Sequence, residues 1–351
     1  MAVAVLKFAR QPNLFLRPTP FQCLRKVVPR FVAAVEAETL TNEECSGSIR
    51  EAENKKAPAW KRLNSKELGI HNSMIGSTTK KVLNGLKKRG YDVYLVGGCV
   101  RDLILKQTPK DFDIITSAGL KEVMRIFSWC EIVGKRFPIC HVHMDGTIVE
   151  VSSFNTPRYN VGIKFSHHME APNGCDKKDH LRWMNCLNRD FTINGLMLDP
   201  YAKITYDYMG GIEDIRKAKV RTVIPADTSF QEDCARILRA VRIAARLGFN
   251  ISKETAHFVK KLSSSVLRLD EGRLLMEMNY MLAYGSGEAS LRLLWKFGLL
   301  DILLPFQYRL HILLAVDFKD GTKEPICFWF SAIKVYDAYT LFSCKLFLLV
   351  S

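Results

Sequence analysis

The sequence predicts an α+β protein, with a mixed sheet-and-helix domain followed by an all-helical one. Three observations carry this. Short apolar runs such as DVYLVGG and TIVEVSSF alternate with short amphipathic stretches between residues 78 and 226. Strands in that region are separated by helices and not only by turns, which is the pattern of a mixed sheet. From SFQEDCARILRAVRIAARLGF onward the period is helical, with no further strand pattern.

The elements follow in order. TTKKVLNGLKKRG predicts an amphipathic helix ended by Gly90, followed by the strand DVYLVGG, the helix VRDLILK and the strand KDFDIIT. GLKEVMRIFSW reads as a helix, and EIVGKRF, ICHVHMD and TIVEVSSF as strands. Tyr159 to Asn188 is polar, with Pro172, Asn173 and Gly174, and is expected to be an inserted loop or mobile flap. RDFTINGLMLDP, the strand KITYDY and the turn GGIEDIRKAKVRTV close the first domain. The first helix of the second has cap candidates in Asp227, Thr228 and Ser229 and a stop at Gly248; SKETAHFVKKL, EGRLLMEMNYMLAYG and SGEASLRLLWKFG continue it.

Outside these domains the composition changes. Residues 1–35 carry six Lys or Arg and no acid, the pattern of an organelle transit peptide; with no serine and one threonine it favours a mitochondrion over a chloroplast, against the alternative of a disordered basic arm. Residues 36–77 read as a flexible linker, 78–226 as the mixed domain, 227–307 as the helical domain, and 308–351 as a divergent apolar tail. The tail has no clear helical period and reads as a truncated or alternative end, an aggregation liability or partner site.

A formal charge of +15 over 351 residues points to a polyanionic partner such as nucleic acid, and the excess survives removal of the leader. Ten cysteines with no CxxC pair argue for reduced thiols and against a secreted disulfide framework. No uncharged apolar run is long enough for a membrane helix, so no membrane insertion is expected.

Four motifs carry chemistry. In LVGGCVRD, the Gly97-Gly98 turn between strand and helix lets backbone N–H groups approach a phosphate, although it does not match GxGxxG and alone is equally a structural turn. Asp111 and Asp113 are expected on one face of a strand, where two carboxylates can share Mg²⁺ ions with substrate phosphates; an isolated pair of this kind is more often an exposed edge. Glu150 is a candidate third carboxylate. A two-ion site of this kind performs in-line displacement at phosphorus. In LNRDFTINGLM, Arg189 offers a fork for phosphate, and Asp190 and Asn194 can reach sugar hydroxyls, or the three are scaffolding. In EDCAR, helical spacing is expected to put Asp233 and Arg236 on one face, able to read the amino-plus-acceptor edge shared by adenine and cytosine, or to form an ordinary surface pair. Arg239, Arg242 and Arg246 border RNA or are solvated. His167, His168, Cys175, His180 and Cys186 fit no common zinc spacing.

Taken together, LVGGCVRD…PKDFDI, VEVSSF, RDFTINGLM, DYMGGIEDI and EDCARILRAVRIAARLGF resemble the class II nucleotidyltransferases, the bacterial-type poly(A) polymerases and tRNA CCA-adding enzymes. The resemblance covers about Val93 to Phe306 and extends to plant organellar members, which fits the leader. It implies a head domain with a nucleotidyltransferase, polymerase-β-like sheet, then a helical neck that holds the incoming base and guides an RNA 3′ end. It implies that Asp111 and Asp113 bind two Mg²⁺, that Gly97, Gly98 and Arg101 form the triphosphate turn, that Arg189, Asp190 and Asn194 form a second nucleotide motif, and that Asp233 and Arg236 read the base, with Glu150 less closely matched. GKRF followed by His141-Val142 is similar to the poly(A) polymerase version of this strand pair, so AMP addition from ATP to mRNA or tRNA 3′ ends is expected, with CCA addition from CTP and ATP the alternative. A nucleotide- or RNA-binding protein without turnover is the third reading. Asn188 departs from the arginine common in the family, and the family's further RNA-binding helices do not follow residue 307.

Overall fold

The computed structural model describes residues 60–134, 138–155, 172, 174–283 and 286–303, all within one compact unit. The expected leader and the apolar tail lie outside these residues, as does most of the expected linker.

Eight strands form one mixed sheet. They are β1 (Lys61–Asn64), β2 (Val93–Val96), β3 (Asp113–Thr116), β4 (Cys130–Val133), β5 (Ile139–Met144), β6 (Thr147–Ser153), β7 (Leu196–Asp199) and β8 (Ile204–Asp207), in spatial order β1-β8-β7-β2-β3-β6-β5-β4. Within this sheet, among the described residues, only β3 and β6 pair in parallel. The central strand β2 is buried at every position, consistent with its unbroken apolar run VYLV.

Helices α1 (Ser77–Lys88), α2 (Gly98–Ile104) and α3 (Leu120–Ile126) bring Val82, Leu83, Leu86, Val100, Leu103 and Val123 into the main core, against Leu95, Ile114, Val142 and Val151 of the sheet. Helix α4 (Lys177–Leu187) covers the opposite face over β2, β3, β7 and β8, where Trp183, Cys186 and Leu187 join Tyr94, Val96, Ile115 and Met197 in a second core. Part of the stretch expected as a loop is therefore helical. Asp176 caps α4 by accepting from the Asp179 N–H, a start signal masked in sequence by the polar composition around it.

The expected linker is corrected at its C-terminal end. Residues 61–64 add β1 antiparallel to β8, and Ile70 and Ile75 are buried. Trp60 stacks on Tyr208 at 5.4 Å, and Arg62 donates to Asp179. Asp179 is fully buried. Burial pushes its carboxyl up, but hydrogen bonds from Arg182, Tyr208 and Arg62 outweigh burial and bring it down to about 2. The strand was illegible because four mostly exposed residues, KRLN, have no apolar alternation; partners distant in the same sequence hold them. A chain beginning at Lys66 is accordingly expected to melt several degrees below one beginning at Trp60, read by differential scanning fluorimetry; equal melting temperatures would refute a stabilising β1.

After α5 (Gly211–Arg216), the short parallel pair β9 (Lys219–Val220) and β10 (Asn250–Ile251) ties the head to the helical part. Helices α6 (Ala226–Glu232), α7 (Ala235–Leu247), α8 (Lys253–Lys261), α9 (Glu271–Ala283), α10 (Gly287–Lys296) and α11 (Leu300–Leu303) follow. The expected caps Asp227, Thr228 and Ser229 lie inside α6, whose N-cap is Pro225. Gly248 ends α7 in the left-handed conformation, as its position predicts. No helix among the described residues is long and apolar enough to cross a membrane.

Candidate active site

The glycine turn sits where β2 passes into α2. Gly97 has φ +79°, and a Cβ built there would lie 3.4 Å from Asp113 Oδ2 and 3.3 Å from Arg189 Nη1. The positive φ, a backbone conformation that L side chains rarely adopt, favours glycine here, and the carboxylate and guanidinium stand close against the turn. The register Val96↔Asp113 brings Asp113 to this turn, and Ile114↔Val151 sets Asp113 level with Glu150 on the adjacent parallel strand. Neighbours in register project from the same face, so Glu150 and Asp113 are directed alike.

Strand β3 begins only at Asp113, so Asp111 is on the approach to the strand and not within it. Phe112 turns inward against the core, and both Asp111 and Asp113 line the same cavity of about 750 Å³. Burial pushes the Asp113 carboxyl up to about 6; the Arg189 guanidinium opposes the rise, while the Glu150 and Asp111 carboxylates add to it. An acid held against its own ionisation beside two further carboxylates is a site that a hard cation would relieve. No ready-made group of three or more metal-ligating side chains occurs among the described residues. Mg²⁺ nevertheless characteristically takes one or two carboxylates and completes its shell with water and substrate phosphates, so the donor set Asp111 and Asp113 fits it. Glu150 is half exposed and lies 3.8 Å from His141 Nε2, at the margin of this group.

The remaining predicted residues form a polar network between the head and the helical part. Arg101 is buried; its Nε and Nη2 donate to Asp102 Oδ1 at 2.8 and 2.7 Å, and its Nη1 donates to Asn194 Oδ1 at 2.6 Å. Asn194 Nδ2 donates to Asp190 Oδ1 at 3.0 Å, and Arg239 Nη1 of α7 donates to Asp190 Oδ2, also at 3.0 Å. From α9, Glu277 is nearly fully buried, accepts from Arg242 Nε at 2.7 Å and lies 3.8 Å from Arg239. Arg246 Nη2 reaches Asp102 Oδ2 at 3.3 Å. Asp190, expected to meet a sugar, is instead spent on the Phe191 N–H, Asn194 and Arg239. Arg101, Asp190 and Asn194 nevertheless line the cavity, as does Arg189, which also faces the glycine turn. Asn188 caps α4, its Nδ2 donating to the Met184 carbonyl at 2.6 Å, and lines the same cavity.

Asp233 and Arg236 are not on one continuous helix. Asp233 ends α6 in an extended conformation (φ −146°), its Oδ1 accepts from the Ala235 N–H at the start of α7, and its Oδ2 accepts from Arg273 Nη2 at 2.9 Å. Arg236 donates to Ser229 Oγ at 2.8 Å and stands 3.4 Å from Glu232. Their side chains do not pair, although the Arg236 N–H donates to the Asp233 carbonyl at 3.0 Å; both line the cavity, so the i, i+3 spacing places them together although they do not share one continuous helix.

Sequence reasoning missed Lys110, Glu277, Tyr280 and Arg273, all at the cavity. Tyr280 carries Lys110 Nζ 5.1 Å and Arg242 5.4 Å from its ring centroid, joining the residue before Asp111 to α9. The one signal available was the i, i+3, i+7 stripe of Arg239, Arg242 and Arg246 on a helix otherwise apolar after Arg236; its acidic partners come from three distant segments. Of the residues weighed for zinc, His180 is exposed and Cys186 buried in the second core, while His167 and His168 lie outside the described residues.

Residues 93–221 match the family described as the poly(A) polymerase head domain, and residues 248–310 match one described as a probable RNA- and SrmB-binding site of polymerase A. Poly(A) polymerase I of Escherichia coli O6:H1 is 35% identical over 234 residues, covering 66% of this chain and 50% of that protein. The CCA-adding enzyme of Geobacillus thermodenitrificans is also 35% identical, over 224 residues, covering 62% and 52%. Among solved structures, the Bacillus stearothermophilus CCA-adding enzyme in complex with CTP superposes with a TM-score of 0.53 at 31% identity, over 63% of this chain and 52% of that one. The Thermotoga maritima CCA-adding enzyme complexed with tRNA shares the fold, with a TM-score of 0.55 at 22% identity over 70% and 56%. The chain spans about half the length of the relatives it matches. With these matches in that order, the chain carries a poly(A) polymerase head domain followed by the associated RNA-binding region, and its relatives are poly(A) polymerases and CCA-adding enzymes.

Proposed function

We propose that this chain adds AMP from ATP to RNA 3′ ends without a template. The observation that carries the reading is the convergence of Asp113 and Arg189 on the Gly97 turn, each within 3.4 Å of where a Cβ on Gly97 would stand, in a cavity also lined by Asp111 and by arginines from three helices. Asp111 and Asp113 would hold the Mg²⁺ ions, which when bound supply positive charge to the triphosphate and activate the attacking hydroxyl. Arg189 and the glycine turn orient the triphosphate. The primer 3′-oxygen forms its bond to the α-phosphorus as the bond to the pyrophosphate oxygen breaks opposite it. Asp233 and Arg236 face the cavity where the base would lie, and Arg273 fixes the Asp233 carboxylate.

The preference for AMP over CCA rests on the resemblance of the β4–β5 hairpin, with His141-Val142, to the poly(A) polymerase version. Both kinds of relative support transfer to RNA equally well, so CCA addition is the second reading. Incubating the protein with Mg²⁺, a labelled RNA and each nucleoside triphosphate in turn separates them: long A tracts with ATP alone support the proposal, and extension halting after CCA on a tRNA lacking its end supports the alternative. Thermal stabilisation by ATP with no extension of any RNA would mean a binding protein without turnover. Asp233→Ala is expected to leave the fold intact and to lower discrimination of ATP against GTP roughly tenfold or more, read from the ratio of kcat/KM values.

A further inference from the structure

The sheet is covered unequally. Alternation along β4, β5 and β6 sends Cys130, Cys140, Val142, Val149 and Val151 into or against the main core. The same alternation and register (His141↔Glu150, His143↔Ile148) send His141, His143, Ile148 and Glu150 to the other face, the face of Asp113. Trp129 accepts a hydrogen bond from the His143 N–H through its carbonyl, which extends the β4–β5 pairing by one residue and puts Trp129 on that face too. Its ring stacks on His143 with centroids 4.9 Å apart and planes 13° from parallel. On the β2, β7 and β8 half this face is buried under α4, whereas over β4–β6 it is open among the described residues: Trp129 is 69% exposed and Ile148 54%. A tryptophan left that exposed in an otherwise ordinary sheet contributes little to the fold.

The chemistry says what comes to this face. In-line transfer needs the attacking hydroxyl opposite the leaving pyrophosphate. The glycine turn and Arg189 put the triphosphate on the β2 side of Asp113, so the RNA 3′ end must arrive from the β6 side, where Glu150 stands. From Glu150, Trp129 lies two strands across and two residues along, about 10 Å and about 7 Å by strand geometry. An RNA strand ending at Asp113 therefore has its preceding nucleotides within reach of the Trp129–His143 stack. Aromatic side chains on an open sheet face are a recurrent way of holding single-stranded RNA, and stacking needs no net positive charge. Two carboxylates over β4–β6 each lie beside an imidazole, Glu131 3.3 Å from His143 and Glu150 3.8 Å from His141.

We infer that the Trp129–His143 stack is a subsite for a base upstream of the RNA 3′ end, with Trp129 a positioning residue for the primer. This deepens the proposed reading and rests on it. In the full chain, Trp129→Ala is expected to raise KM for a short oligo(A) primer roughly tenfold while leaving KM for ATP unchanged, and Trp129→Phe to restore most of the loss. Oligo(A) is expected to quench tryptophan emission in the wild type, and the Trp129→Phe variant to lose that quenching. An unchanged primer KM in Trp129→Ala, or quenching that survives Trp129→Phe, overturns the subsite; a change in sedimentation without a change in primer KM overturns it in favour of a contact between copies. If the wild type extends no RNA, the proposed function fails by itself, and the quenching comparison still decides whether Trp129 stacks on RNA.

Discussion

Replacing Asp113 with asparagine is expected to reduce nucleotide addition on the order of a thousandfold and, at the same time, to stabilise the metal-free protein at neutral pH. Both effects come from one feature, a carboxyl pushed up to about 6 by burial and by Glu150 and Asp111, against the opposing pull of Arg189. In the unfolded chain the same group titrates near 3.9. The folded state therefore binds its proton more tightly, and the stability this contributes is present below about pH 4 and lost as pH rises through about 6. Ionised at pH 7.5, Asp113 costs the metal-free fold about 2 kcal/mol, discounted for its partial exposure. Asparagine keeps the shape and is neutral throughout. In EDTA, the variant should melt several degrees above the wild type at pH 7.5 and level with it at pH 4; with Mg²⁺ and ATP the wild type should regain stability and the variant should not. Identical melting curves at pH 7.5 would show that the carboxylates are not in conflict.

Asp190→Ala is expected to cost about 3 kcal/mol and to loosen the helical part from the head. The carboxylate is buried and accepts from the Phe191 N–H at 2.7 Å, from Asn194 and from Arg239. Burial raises its pKa, but Arg239 and these hydrogen bonds more than compensate and hold it below the usual range, so its contribution is present at neutral pH and lost only as the solution becomes strongly acidic. Removing it leaves Arg239 with Glu277 at 3.8 Å and strands one Asn194 donor. Arg239→Ala should remove the same interaction, so the double variant is expected to cost clearly less in urea than the two single changes added together. Simple additivity would mean that the two side chains act independently.

The two segments misread in the sequence share a cause. KRLN and the residues around α4 are polar enough to read as linker and loop, and they are held not by local periodicity but by distant partners, Asp207 to Ile204 for the first and the aromatic face of β2, β7 and β8 for the second. The head's other elements were legible because each buries its own apolar stripe or run, which is a property of neighbouring residues. Gly97 and Asp113 were legible for a similar reason: a turn needing positive φ and a carboxylate at the start of an adjacent strand leave local marks.

What the chain order and residue types decided unaided is therefore the α+β division, the strand–glycine–helix turn, and most of the acidic and basic residues that line the cavity. The tertiary structure alone decided how those residues are used. It tied Arg101, Asp190 and Asn194 into one polar network that Arg239 and Arg246 join from the helical part, broke the helix between Asp233 and Arg236, and buried Glu277 among arginines while leaving Trp129 open. Charge pairing and exposure depend on which groups lie within a few ångströms across long sequence separations, and local periodicity carries no information about that distance.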